Sequence, residues 1–135
     1  MISDGDVAPA IAAAVEGSGV DMLLGIGGAP EGVLAAAALK CMGGDMQGRL
    51  VFMNDEERHR AMAMEIDDFE KVYQCEEMAN GDVVFAATGV TNGDLLRGIR
   101  YYSGGAETHS IVMRSRTRTI RFVETRHSFD FKPKY

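Results

Sequence analysis

Gly25-Ile26-Gly27-Gly28-Ala29-Pro30-Glu31-Gly32, running into Val33-Leu34-Ala35-Ala36-Ala37-Ala38-Leu39-Lys40, is the stretch that decides how the chain is organised. Before it, Val20 to Ile26 is a mostly apolar run, short enough for a buried parallel strand. After it, the alanine-rich run has high helix propensity and is closed by Gly43-Gly44, as helices commonly close. The unit reads strand, loop, helix. Gly25, Gly27 and Gly28 let the loop backbone approach a ligand where side chains would block it. In open α/β sheets ligands gather at the carboxyl ends of strands, and the free N–H groups at a helix start favour an anion such as phosphate.

The same organisation extends in both directions. Met1-Ile2-Ser3 reads as a short strand, Asp4-Gly5-Asp6 as a loop, and Val7 to Val15 as a helix with Asp6 at its N-cap and Pro9 in its first turn. Gly17 and Gly19 break that helix. Downstream, Gly48 to Met53 is a further candidate strand, Asn54 caps an acidic helix through Met64, Phe69 to Tyr73 is ambiguous, and Val83 to Ala87 is another buried strand. The remainder is β-rich and punctuated by turns, at Ile99 to Tyr102, His109 to Arg114 and Thr119 to Thr125, which favours antiparallel pairing. The expectation is an α/β fold, a layered mixed β-sheet flanked by helices, in one domain over residues 1–135.

Composition narrows the classes. No run approaches the roughly 18 apolar residues of a membrane span, and the first residues carry acids rather than a basic leader, so a soluble cytoplasmic protein is expected. Cys41 and Cys75 show neither CxxC nor Cys/His spacing and read as buried, reduced thiols. The net charge of −6 conceals an asymmetry, because residues 97–135 carry 9 basic and 3 acidic side chains. Arg114, Arg116 and Arg118 alternate with Ser115 and Thr117, the pattern of one solvated strand face or subunit contact rather than a nucleic-acid surface.

Two groups of acids are candidates for chemistry. Glu31 falls in the first turn of the helix after the glycine loop, where the helix dipole favours a carboxylate. A carboxylate beside a phosphate needs a cation between them, so Glu31 reads either as a divalent-metal ligand or as an ordinary acidic helix start. Asp4 and Asp6 read either as acceptors for sugar hydroxyls or metal, or as a capped turn. Dinucleotide and Walker-type motifs fail, since Pro30 stands where the former needs glycine and no GxxxxGK[ST] occurs. His59 reads as a surface residue, His109 and His127 lack the spacing of a triad, and Asp94 stands beside an Asn-Gly turn signal.

Taken with Gly48-Arg49-Leu50, Phe85 to Thr91 and Thr108 to Ser115, the two loops Ser3 to Val7 and Gly25 to Gly32 resemble class II, GlpX-type fructose-1,6-bisphosphatases from Ile2 to about His127. The resemblance implies a fold similar to inositol-monophosphatase-like sugar phosphatases. It implies hydrolysis of the 1-phosphate of fructose 1,6-bisphosphate with Mg²⁺ or Mn²⁺, with sedoheptulose 1,7-bisphosphate accepted by cyanobacterial relatives, and a homo-oligomeric full enzyme. Position by position, Glu31 matches a metal ligand, and Asp4, Gly5, Asp6 and Gly28 match substrate-contacting positions. The resemblance also implies members more than twice this long, whose amino-terminal half, expected to be missing from this chain, supplies the other acidic ligands. The expectation is therefore a chain inactive by itself, the alternative being a non-catalytic sugar-phosphate-binding or assembly domain. Two further departures are Asn92, where the family usually has Asp, and Arg118, where it usually has Gly.

Overall fold

In a computed structural model, residues 7–93 and 95–131 are described. The longest helix, α2 (Ala29–Met42), is the axis of the structure, and its position follows from its sequence. Gly28 is its N-cap and Pro30 lies in the first turn, where the missing N–H costs nothing. Gly43 ends it at φ 80°, a left-handed conformation that a side chain would resist. Ala35, Ala36, Ala38, Leu39 and Cys41 are buried, and the small alanines let neighbouring elements approach closely.

Helix α1 (Val7–Ala12), with Pro9 in its opening turn, packs on α2. It stops short of the expected Val15, and Gly17 and Gly19 follow at positive φ. Strand β1 (Gln47–Arg49) pairs antiparallel with β2 (Val72–Gln74) as a separate two-stranded sheet. Helix α3 (Asp55–Ala63) lies between them in sequence, and the Asn54 side chain accepts a 2.9 Å hydrogen bond from the Glu57 N–H, the cap expected there. The short α4 (Cys75–Met78) follows β2 directly and packs on α2.

The main sheet is built on β5 (Gly105–Arg114). One of its edges pairs along its whole length with β6 (Thr119–Ser128); the other pairs with β3 (Val84–Thr88) and β4 (Arg100–Tyr102). Ile111 and Met113 project from β5 beside Phe85 of β3, and these close a core with Ile11, Ala38, Cys41 and Leu96. A second cluster joins Ala10, Ala35, Ala36 and Leu39 to Cys75 and Ala79. Both cysteines are free and buried, as expected, and burial pushes both thiols up.

Lys40 ties the helical layer together. Its ammonium group donates to Glu76 at 2.5 Å and to the carbonyls of Ala79 and Gly81 at 2.8 and 2.7 Å. Its side chain is only 13% exposed, so those three acceptors replace its water.

The layered α/β class expected from the sequence is the one observed. Two local expectations are corrected. The run Val20–Ile26, expected as a buried parallel strand, forms no strand, and every ladder among the described residues is antiparallel. Its apolar composition asks for cover, but nothing among the described residues provides it, and Met22, Leu24 and Ile26 are 71%, 82% and 83% exposed. The alternation of Arg114, Arg116 and Arg118 is not a strand face either, since β5 ends at Arg114 and the other two lie in the turn before β6. Arg116 pairs with Asp82 at 3.6 Å. Arg118, at φ 47°, takes the left-handed conformation that glycine would adopt without strain.

Candidate functional site

The site begins at the entrance to α2. Gly28 is extended (φ −68°, ψ 148°), and its carbonyl accepts the first helical hydrogen bond from Gly32 N–H at 3.0 Å. Among the described residues no side chain caps this end. The N–H groups of Ala29 and Glu31, at the positive end of the helix dipole, find no partner among the described residues. Glu31 folds back over the turn. A β-carbon placed on Gly28 would collide with its carboxylate oxygen, so the absence of a side chain at 28 is what gives the Glu31 carboxylate its place. Glu31 itself is exposed, and its carboxylate lies over the bare backbone of Gly28 at the helix entrance.

This arrangement supplies one hard oxygen ligand next to main-chain donors for an anion. A divalent cation such as Mg²⁺ or Mn²⁺ takes six or more oxygens, from protein, substrate and water together. Among the described residues no group of three or more His, Cys, Asp and Glu side chains converges as a metal site. Glu31 is thus suited to contribute to a cation held jointly with other acids, and does not make a complete site with its described neighbours. The candidate residues Asp4, Gly5 and Asp6 lie outside the described residues, as does Asp94.

The other candidates have structural partners. His59 is exposed on α3. His109 on β5 accepts the Arg97 N–H at Nδ1 (3.2 Å) and stacks on Phe122 with ring centroids 5.8 Å apart. His127 Nε2 lies 2.9 Å from Thr108 Oγ1 across the β5–β6 ladder. Asn92 Oδ1 accepts the Gly98 N–H at 2.9 Å, a bond an aspartate could also accept, so that departure leaves the loop its anchor.

A second polar region escaped notice in the sequence. A cavity of about 230 Å³ is lined by Asn92, Arg97, Arg100, Glu107, Thr108 and His109 among others. Its cations are already engaged: Arg97 with Glu124 at 2.7 Å, and Arg100 with Glu107 at 2.9 Å, where Arg126 also approaches to 3.5 Å. The Arg100 hydrogen bond holds the Glu107 carboxyl below the usual carboxylate range. The register that puts Glu107 opposite both Arg100 and Arg126 makes this an ion-paired sheet face. The signal was present as two acids within the basic last third, but only strand register shows which cations they meet.

The strand pairing also unites distant segments. Phe85 to Thr88 lies in register with Met113 to Ser110, and Thr88 Oγ1 stands 2.8 Å from Ser110 Oγ. Residues 1–127 match the bacterial, glpX-encoded fructose-1,6-bisphosphatases. The chain belongs to that family. It is 46% identical over 143 residues to the D-fructose 1,6-bisphosphatase class 2/sedoheptulose 1,7-bisphosphatase of Synechococcus sp. (strain JA-3-3Ab), an alignment covering 96% of this chain and 41% of that protein. With the protein of the same name from Microcystis aeruginosa the identity is 45% over 148 residues, covering 100% of this chain and 43% of the relative. This GlpX-family chain therefore spans about two fifths of the length of the curated relatives it matches. No helix among its described residues is long and apolar enough to cross a membrane.

Proposed function

We propose that the chain supplies the carboxy-terminal, sugar-phosphate-binding part of a cytoplasmic, metal-dependent fructose-1,6-bisphosphatase and does not hydrolyse phosphate esters by itself. The observation that carries this reading is the Glu31 carboxylate held over Gly28 at the start of α2, where the N–H groups of Ala29 and Glu31 have no partner among the described residues. A carboxylate and a phosphate repel each other in one crevice unless a cation lies between them, and Mg²⁺ or Mn²⁺ suits oxygen ligands of both kinds. Bound there, the cation would draw charge from the phosphoryl oxygens.

The roles of this chain's residues follow. Glu31 gives one ligand to the cation. The backbone at Gly28 and the helix entrance receive phosphate, where a side chain would obstruct it. Asp4 and Asp6 accept hydrogen bonds from sugar hydroxyls and fix the orientation of a polyol that phosphate contacts alone leave loose. The remaining metal ligands, and the group that places the attacking water in line with the leaving oxygen, come from the amino-terminal part of a full-length enzyme. The substrate on this reading is fructose 1,6-bisphosphate, with sedoheptulose 1,7-bisphosphate as a second, in keeping with the names of the cyanobacterial relatives. The whole enzyme is proposed to be a homo-oligomer, with no nucleic-acid or membrane partner.

A second reading is a non-catalytic sugar-phosphate-binding or assembly domain. Calorimetric titration with fructose 1,6-bisphosphate, with and without Mn²⁺, separates the two when run on the chain alone and after adding the amino-terminal part of the Synechococcus relative. The enzyme reading expects metal-linked binding and phosphate release only in the mixture. Phosphate release by the chain alone would refute its incompleteness, and tight metal-independent binding would establish the second reading.

A further inference from the structure

The tripeptide Asn-Gly-Asp occurs twice, at 80–82 and at 92–94. Asparagine followed by glycine is open to spontaneous deamidation, because a residue without a side chain lets its backbone nitrogen reach the amide carbon of the asparagine before it. Equal local sequence gives the two sites similar intrinsic reactivity, so a difference between them is made by the fold.

At Asn92 and Gly93 both reacting groups are engaged. The Asn92 side chain reaches across its loop, where Oδ1 accepts the Gly98 N–H at 2.9 Å, and the Gly93 N–H donates to the Leu96 carbonyl at 3.0 Å. The main chain is closely packed there as well, since a β-carbon on Gly98 would stand 2.7 Å from the Thr91 carbonyl carbon and 2.8 Å from the Asn92 nitrogen. Reaction at this site must release the Gly93 hydrogen bond and turn the side chain back onto its own neighbour.

Asn80 and Gly81 are held differently. Both are exposed, and a β-carbon on Gly81 would meet nothing within 4 Å, so there is space around the attacking nitrogen. The restraint falls on the flanking carbonyls, those of Ala79 and Gly81, which accept from the Lys40 ammonium group at 2.8 and 2.7 Å. Neither the Asn80 amide nor the Gly81 N–H has a partner among the described residues.

We propose that Asn80 is a site of spontaneous modification, deamidating through Gly81 faster than Asn92 does through Gly93, and that its isoaspartyl product undoes the Lys40 anchor. Hydroxide takes the proton of the Gly81 nitrogen, which attacks Cγ of Asn80. A bond from the Gly81 nitrogen to Cγ forms, the Cγ–Nδ2 bond breaks, and ammonia leaves with a proton returned by water. Water then opens the cyclic imide. Cleavage of the new bond gives aspartate, and cleavage of the original peptide bond gives isoaspartate, whose main chain runs through Cβ. The net change is one water taken up, one ammonia released, and a carboxyl group in place of the amide. Isoaspartate adds an atom to the main chain between the carbonyls of Ala79 and Gly81, so the two no longer meet one ammonium group as before. Aspartate leaves that path unchanged.

The test holds the chain at mildly alkaline pH in water enriched in oxygen-18, with and without denaturing urea, then digests and fragments it in a mass spectrometer so that the two sites are read separately. In the folded chain Asn80 converts about tenfold or more faster than Asn92, the ratio expected from the hydrogen bonds that must be released at 92 and 93. In urea the two rates converge. Each converted site carries heavy oxygen from the water. Asn80→Gln, which would have to close a larger and less favourable ring, loses conversion at 80 and keeps that at 92. The isoaspartyl fraction, recognised as a substrate of an isoaspartyl methyltransferase, unfolds at lower urea than the unreacted chain, whereas Asn80→Asp unfolds with it.

Conversion of Asn92 as fast as Asn80 in the folded chain would mean that the Gly98 N–H activates the amide rather than holding it, and overturns the assignment. So does a folded chain in which Asn80 stays unreacted. An isoaspartyl fraction that unfolds together with the unreacted chain overturns the effect on Lys40.

Discussion

The carboxylate of Glu31 occupies the space that a side chain on Gly28 would need. The relationship makes a glycine at 28 a condition for the position of an acid three residues later, and it links a loop feature to a functional group. Gly28→Ala is expected to push the flexible end of Glu31 aside rather than distort the backbone. Stability should therefore fall by less than about 1 kcal/mol in chemical denaturation. Metal-linked sugar bisphosphate binding by the reconstituted enzyme should weaken strongly in the same variant. A large stability loss with binding intact would show that the glycine serves the turn alone.

Arg118 presents two opposed effects of similar size. Its φ of 47° costs about 1 kcal/mol relative to glycine, while its guanidinium, which lies beside Gly43 at the carboxyl end of α2, gains roughly 0.3–1 kcal/mol from the helix dipole. Arg118→Gly is expected to be near neutral at low salt and to become stabilising by about 0.5–1 kcal/mol at high salt, where the charge term is screened. Urea unfolding at two ionic strengths checks this, and a substitution that destabilises more at high salt contradicts it.

Lys40 is the polar side chain that ties α2 to the segment after α4. Lys40→Met keeps the apolar stem but leaves the carbonyls of Ala79 and Gly81 without their donor. A loss of about 1–3 kcal/mol is expected in urea unfolding. A change within experimental error would mean that water replaces the ammonium group at no cost.

The Glu107 ion pairs set a pH dependence. The folded state holds this carboxyl below its ordinary value through Arg100, so its contribution is present above the ordinary glutamate range. It is lost as pH falls through the depressed folded value. Glu77, lowered by its hydrogen bond to Lys71, acts in the same direction. Stability should therefore decline on acidification, and Glu107→Gln should flatten that decline, with the two proteins converging at low pH. Parallel curves would remove Glu107 from the account.

Much of this architecture was legible in the sequence because the signals were local. Asn54 caps α3, Gly43 closes α2, and β5 and β6 pair as antiparallel strands, since each signal depends on a few adjacent residues. Strand β3 forms where a buried strand was expected, but of its residues only Phe85 is buried, because the strand's other positions lack cover among the described residues. Val20–Ile26 was misread for the opposite reason. Apolar composition states what a segment needs, whereas burial depends on what covers it, and the described residues provide no cover. Arg116 and Arg118 shared a strand's periodicity but fall in a turn, where alternation has no face to define. At the site, the glycine loop and Glu31 were legible as a helix entrance, while the contact that places Glu31 over Gly28 required coordinates.

The most direct measurement of the central claim is calorimetric titration of fructose 1,6-bisphosphate into the reconstituted enzyme, with and without Mn²⁺, for the wild type and Glu31→Gln. Glutamine keeps the size of the side chain and removes its charge. The account predicts that Mn²⁺ tightens sugar bisphosphate binding in the wild type and that this metal-dependent gain disappears in the variant. An equal gain in both proteins would contradict it.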